Sequence, residues 1–213
     1  MDLTLWHRAA TSAGSQIKGA IMPEPNHAAL TFLLTRRSHP ARTLGLPVPD
    51  RAQLKPILTA ALRSPDHGKL EPWRLIVLER AALLRLAGLV NDCGARLGKS
   101  TEEIAKARSQ YGDAHLAVVV VESRKASDKI PAIEMTYSAG AVCLGLLNAA
   151  LASGWGANWL TGWASRDEAF AEAAFGLTGD ERIAGVIHIG SKTAQPPDRP
   201  RPDVDAITTW MSK

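Results

Sequence analysis

Residues 115–122 read HLAVVVVE, and this stretch decides the architecture. A run of valines with no alternation of polar and apolar positions is suited to a strand covered on both faces rather than one. Such a strand needs helices on either side of its sheet, and the flanking sequence supplies them. Downstream, residues 132–152 (AIEMTYSAGAVCLGLLNAALA) are apolar on nearly every helical face. Upstream, residues 73–79 (WRLIVLE) suit a second strand, with helical spacing over 81–97 and again over 101–109. Further out, Gly154 to Leu160 reads as a turn and short strand and residues 182–190 (RIAGVIHIG) as a last strand. Ser165 and Glu168 form a capping-box pattern for a helix over 166–175 that Gly176 closes. Four strands separated by helices predict one layered unit of helices on a sheet.

At the N-terminal side, residues 27–37 (HAALTFLLTRR) predict a short helix ending in paired arginines, which would complement its dipole. Asp50 and Gln53 predict a capping pair for a helix with Leu54, Ile57, Leu58, Ala61 and Leu62 on one face, interrupted only by Pro56. Residues 1–26 read as a poorly ordered arm without the apolar stretch of a secretory signal, and the proline-rich residues 196–213 as an extension. The globular domain is therefore expected over residues 27–195.

Residues 135–165 carry no charged side chain, which raises the question of a membrane span. Thr136, Tyr137, Ser138, Asn148, Ser153 and Asn158, together with Gly140, Gly145, Gly154 and Gly156, argue instead for a buried core helix followed by a strand. With 213 residues, 46% of them hydrophobic and 22% charged, the chain can bury a full core. Its net charge of +4 favours an anionic small molecule over nucleic acid, for which no recognition motif is present. Two cysteines, Cys93 and Cys143, exclude a disulfide framework and fit a reducing cytoplasm. The histidines are scattered, so no metal site is expected, and GxGxxG, GxxxxGK[ST], GxSxG and HExxH are all missing.

Three segments carry chemistry that packing alone does not require. Arg36-Arg37-Ser38 sets two guanidinium forks beside a hydroxyl, which suits a phosphate or another dianion, although dipole compensation at a helix end is the plainer account. Residues 64–73 (SPDHGKLEPW) form a turn-rich loop between a helix and a strand, a place where function is often carried and where Asp66 and His67 could equally bond their own backbone. Residues 154–163 (GWGANWLTGW) hold three of the six tryptophans between glycines, offering flat apolar faces beside bare backbone to a planar ring, or simply core packing.

In this order and at these separations the segments resemble the flavin-dependent nitroreductase family, in particular its small single-domain bacterial branch, over residues 27–195. The resemblance implies an α+β, three-layer fold in which a mixed sheet is flanked by helices, with residues 132–152 as a long central helix at a homodimer interface. It implies non-covalent FMN, with Arg36, Arg37 and Ser38 on the phosphate and ribityl chain. Arg63 and His67, from the segment matching RxPDHxxxxPW, would contact flavin, the partner subunit completing the pocket. Trp159, Leu160, Thr161 and Gly162 match the segment set against the ring, with leucine where some relatives carry arginine. Arg199 and Arg201 resemble a basic pair that closes the phosphate site in larger relatives. Ala149, Ala150, Leu151, Ala152, Ser153 and Gly154 correspond to a stretch contacting NAD(P)H.

The activity so implied is a ping-pong transfer of hydride from NADH or NADPH through flavin N5 to a nitroaromatic, quinone or similar small acceptor. FMN would carry the chemistry, with no catalytic side chain. The other reading is a flavin-binding redox sensor or carrier without appreciable turnover.

Overall fold

The computed structural model describes residues 24–213. The expectation for the N-terminal arm falls almost wholly outside them. Helix α1 (His27–Thr35) belongs to one unit, and residues 36–213 form a second. Within α1's unit the side chain of Asn26 accepts from the Ala29 N–H at 3.0 Å, capping the helix start.

The second unit is built on a five-stranded sheet: β1 (Leu44–Gly45), β2 (Trp73–Glu79), β3 (Leu116–Ser123), β4 (Gly156–Leu160) and β5 (Glu181–Lys192). Helices α2 (Arg51–Ala61), α3 (Arg80–Arg96), α4 (Thr101–Gly112), α5 (Ala132–Ala152), α6 (Glu168–Phe175) and the one-turn α7 (Val204–Ile207) complete it. The long strand β5 organises the sheet. It pairs with β3 along one edge and with β4 and then β1 along the other, while β2 closes the far side of β3.

The valine run behaves as its composition demands. Ala117, Val119 and Val121 face one apolar cluster with Leu83, Leu86 and Val90 of α3, Tyr111 of α4 and Phe170 of α6. Leu116, Val118 and Val120 face another with Leu54 and Ile57 of α2 and Val142, Cys143 and Leu146 of α5. Three layers result, with β3 buried from Leu116 to Glu122. Helix α5 has the length and composition of a membrane span, but its residues Met135, Ala139, Val142, Leu146 and Ala150 are buried against the domain, as in a core helix.

The expectation of a mixed sheet needs correction, because every described strand pairing is antiparallel. Between β2 and β3 the chain makes two successive helices, α3 and α4, so it re-enters the sheet from the end it left and runs the opposite way. The α+β class and the helices on both faces stand. Helix α1 stops at Thr35, short of the arginines, because the chain beyond it is engaged elsewhere: the His39 N–H donates to the Ala157 carbonyl at 2.9 Å. Helix α6 begins at Glu168, capped by Asp167, whose carboxylate accepts from the Phe170 N–H at 2.8 Å. Ser165 belongs instead to the 3-10 turn Ala164–Arg166. Gly176 ends α6 with φ 64°, the left-handed conformation expected of a C-cap glycine. The Asp50–Gln53 capping box forms as expected, and Pro56 is accommodated inside α2.

Two polar nodes hold the β3–β5 end together. Glu122, 1% exposed, accepts from Arg182 at 2.6 Å and 3.0 Å, from Arg124 at 2.9 Å and from the Thr136 hydroxyl of α5 at 2.9 Å. Burial pushes its carboxyl up, but these donors together outweigh burial and hold it below the ordinary glutamate range. Arg74 of β2 meets Glu181 of β5 through two parallel bonds of 2.7 Å and 2.9 Å.

Candidate functional site

The segment Arg36–His39 runs along the start of β4. Besides the His39 N–H bond to Ala157, the Asn158 side-chain amide donates to the His39 carbonyl at 2.6 Å. Backbone fixed in this way leaves the side chains little freedom. Arg36 donates from Nη2 to the Ser38 hydroxyl at 2.9 Å, and Arg37 donates from Nε to the Pro197 carbonyl at 3.2 Å, which brings the proline-rich extension to the same corner. Arg201 follows in that extension, its Nη1 donating to the Arg199 carbonyl at 2.6 Å.

The electrostatics of this corner are lopsided. Burial, then Arg37, then Arg201 lower the affinity of the Arg36 guanidinium for its proton. Among the described residues Arg36 Nε is buried without a well-aligned hydrogen-bond partner, and so are both ring nitrogens of His39, which is 4% exposed. An unsatisfied buried donor costs about 1–3 kcal/mol. Unsatisfied polar atoms beside mutually repelling cations leave hydrogen-bonding capacity and positive charge that an anion could meet.

Of the tryptophan-rich ribbon, Trp155 and Trp163 pack into the two apolar clusters, so the structure assigns them to the core. Trp159 differs: it is 37% exposed, and its indole lies over Gly185 of β5. A Cβ at Gly185 would come within 2.1 Å of Trp159 Nε1 and 3.0 Å of Cys143 Sγ, so only glycine lets the ring lie on the strand. Leu160 and Gly162 are half-buried and Thr161 is exposed, leaving backbone accessible where β4 ends.

The third segment stands on α5. Ser138, buried, donates to the Pro65 carbonyl at 2.9 Å and accepts from Trp73 Nε1 at 3.0 Å, fastening both ends of the loop to the helix. His67 Nδ1 donates to Glu134 Oε2 at 2.6 Å with both side chains largely exposed, and Arg63 is exposed as well. Among the described residues no hydrogen bond or ion pair joins Arg63 or His67 to the Arg36–Ser38 corner. Within one chain the expected contacts thus form two groups, one at β4 and one on the first turns of α5.

The segment Ala149–Gly154 becomes the end of α5. Ala150 is buried, Ala149 and Leu151 pack against the core, and only Ala152, Ser153 and Gly154 face outward. Of the basic pair, Arg201 reaches the corner by acting on Arg36, while Arg199 contributes its carbonyl. Sequence reasoning missed His39, Asn158 and Gly185. Adjacency to Arg36–Ser38 could have flagged His39, but Asn158 and Gly185 depend on strand register. A cavity of about 570 Å³ lies elsewhere, between α6 and the start of β5, lined by residues of both charges including Arg166, Glu172 and Arg182. Among the described residues no group of His, Cys, Asp and Glu is arranged to hold a metal ion.

The nitroreductase family model matches residues 33–191. The Escherichia coli (strain K12) protein named "Putative NAD(P)H nitroreductase YdjA" is 32% identical over 163 residues, covering 76% of this chain and 87% of that protein. The crystal structure of a nitroreductase-like family protein from Bacillus cereus has the same fold, with TM-score 0.72 at 22% identity, covering 91% of this chain and all of the other (100%). The FMN and NADPH-dependent nitroreductase NfnB from Sphigopyxis sp. strain HMH also shares it, with TM-score 0.64 at 20% identity, covering 86% of this chain and 99% of that one. By family model and by relative alike, the chain belongs to the nitroreductase family, a family of oxidoreductases.

Proposed function

We propose that the protein is an NAD(P)H-dependent oxidoreductase that binds FMN without covalent attachment and reduces a nitroaromatic, quinone or similar small acceptor. The observation that carries this reading is the basic corner, where among the described residues Arg36 Nε is buried without a well-aligned partner beside Arg37 and Arg201. A phosphomonoester dianion supplies the acceptors and the charge that these groups lack. The NAD(P)H and FMN dependence printed in the names of YdjA and NfnB supports the choice of ligand.

Bound FMN would supply the hydride chemistry, taking two electrons from NAD(P)H and returning them to an acceptor in separate visits to one site. The chain's own residues do the rest. Arg36, Arg37, Ser38 and Arg201 grip the phosphate. Trp159 and the backbone of Leu160, Thr161 and Gly162 wall the ring and exclude water from one side. The exposed Ala152, Ser153 and Gly154 are the portion of their segment that a nicotinamide dinucleotide could touch.

Arg63 and His67 act in a second copy of the chain. Their loop stands beside Glu134, which lies between Ile133 and the uncharged turns that follow, and Ile133, Tyr137 and Leu144 are 51%, 67% and 47% exposed. These apolar positions fall on one stripe of α5 and need a cover, which a homodimer provides. There the Arg63 guanidinium faces negative charge developing on the ring, with His67 held beside it by Glu134. Two buried free thiols, Cys93 and Cys143, fit a cytoplasmic setting.

The visible spectrum of the purified full-length chain, before and after incubation with FMN, tests the reading. A flavin spectrum is expected, with NAD(P)H oxidation in the presence of menadione or a nitrofuran. Arg36→Ala is expected to weaken FMN retention at least about tenfold by loss of a charge-assisted bond. Bound flavin with negligible turnover would favour a sensor or carrier. A folded chain that stays colourless would end the proposal.

A further inference from the structure

His39 is the least explained polar residue of the second unit. It follows Ser38 directly, it is 4% exposed, and among the described residues neither Nδ1 nor Nε2 makes a well-aligned hydrogen bond, the Arg37 backbone and the Gln195 side chain being the polar groups nearest the ring. Its backbone is held at both ends, through N–H to Ala157 and through the carbonyl to Asn158. The groups around it are basic or neutral. Lys192, at the end of β5, and Arg37, on its own segment, are the charges that act on the ring; Gln195, in the turn after β5, is the polar side chain beside it, and β4 contributes the Asn158 amide. Arg37 also acts on Arg36, which in turn feels Arg201. Pairwise electrostatic interactions thus link Arg201, Arg36, Arg37, His39 and Lys192 into one basic row, and Asp198, 3.7 Å from Arg201 Nη1, is largely exposed.

The geometry points to His39 as a proton-linked member of this anion site: it takes up a proton when a phosphomonoester dianion enters the corner, so that the corner holds the phosphate less tightly as pH rises. This rests on the reading of Arg36–Ser38 as a phosphate site and adds a residue and a linkage to it. The physical cause is direct. In the free protein burial first, then Lys192 and, less, the Arg37 charge hold the imidazole below its ordinary value of 6.5, outweighing the Arg37 backbone and Gln195 side chain that favour its proton, so that it is neutral near pH 7. A dianion on the same row reverses the local charge, favours imidazolium, and gives the ring an additional N–H with which to donate. By linkage, whatever raises the affinity of His39 for a proton lets the proton raise the affinity for phosphate by the same factor. A group whose pKa rises on binding strengthens binding below the bound-state pKa and loses that contribution as pH climbs through it.

The test compares FMN with riboflavin, which has the same ring and no phosphate, on the full-length chain freed of flavin. Affinities are read from quenching of flavin fluorescence between about pH 6.5 and about pH 8.5, where a phosphomonoester is mostly dianionic. Calorimetry in buffers of different ionisation heat counts the protons taken up. FMN is expected to bind about tenfold more weakly for each unit of pH between the free and bound titrations of His39, with net proton uptake. Riboflavin should show neither effect, and His39→Gln should abolish both while still binding FMN.

If His39→Gln does not fold, the proton count on the unmodified chain decides alone. FMN binding without proton uptake, uptake equal for riboflavin and FMN, or an undiminished pH slope in His39→Gln would overturn the role of His39 and leave the FMN site standing. Failure of both flavins to bind would overturn the FMN site itself, and the role of His39 with it.

Discussion

The side-chain amide of Asn158, on β4, donates to the main-chain carbonyl of His39 at 2.6 Å. With the N–H of His39 bonded to the Ala157 carbonyl at 2.9 Å, the segment carrying Arg36 and Ser38 is paired to the strand carrying Trp159. The two halves of the proposed flavin site thus share one rigid element. Their separation is set by the length of β4 and not by flexible side chains, which is what a ligand with a charged tail and a planar head requires.

Asn158→Ala removes the tie and strands a half-buried carbonyl. The expected loss of stability is about 1–2 kcal/mol, readable in urea titrations, since one good hydrogen bond and its desolvation are at stake. FMN affinity should fall further than stability accounts for at a denaturant-free baseline, because the basic corner loses its register with β4. An unchanged FMN affinity in a destabilised variant would mean that the tie is structural only.

Gly185 is the seat of the Trp159 indole, and Gly185→Ala would place a methyl group 2.1 Å from Nε1. Either the ring lifts away or β5 shifts, at a cost of about 1–3 kcal/mol for overpacking. Retention of flavin should drop together with thermal stability. Gly88→Ala, on the exposed side of α3 where an added Cβ meets nothing within 4 Å, is the matched control, expected to stabilise by about 0.5–1 kcal/mol. Equal behaviour of the two variants in calorimetry would remove the special role of Gly185.

Glu122 ties β3, β5 and α5 through Arg182, Arg124 and Thr136, and these partners hold its carboxyl below the ordinary value despite burial. A carboxyl depressed by folding contributes stability that is present above its unfolded pKa and is lost as pH falls through the folded one. The protein should therefore lose stability in acid, below the ordinary glutamate value of 4.5. Glu122→Gln should cost about 1–3 kcal/mol near neutrality, the partners being partly exposed, and should flatten the acid limb of the stability profile. Denaturant midpoints measured across that range would refute the assignment if both proteins fell in parallel.

Much of this fold was legible because its strongest signals are local. The strand 73–79 and the helix 132–152 emerge from the sequence with the bounds the structure gives them, since a branched apolar run and a continuous helical pattern admit few alternatives. What escaped reading is what depends on distance in sequence. The strand β1, two residues long, exists only because Leu44 and Gly45 meet Lys192 and Ser191. The antiparallel order depends on the end of the sheet at which each connection returns, and the cap of α6 passed from Ser165 to Asp167, a stronger acceptor. In the site, Arg36–Ser38 and Trp159 were readable as residue types suited to a dianion and a ring. Sorting Trp159 from Trp155 and Trp163, and Arg201 from Arg199, required tertiary contacts: Trp155 and Trp163 pack against the core, and Arg201 is the one that acts on Arg36.

The exposed stripe Ile133, Tyr137 and Leu144 bears on the remaining half of the proposed site. At spacings of four and seven these residues lie on one face of α5, opposite the buried Met135, Val142 and Leu146. An aromatic and two large aliphatic side chains left about half exposed forgo roughly 1 kcal/mol each, an incentive for a second copy to cover them. Leu144→Glu places a charge in that stripe without touching the core on the other face. Sedimentation at micromolar concentration is expected to show a dimer for the unmodified chain and a folded monomer for Leu144→Glu. Flavin affinity should fall with the dimer, because Arg63 and His67 then have no neighbouring site to complete. A monomeric variant that keeps full FMN affinity would show that these two residues act within their own chain or not at all.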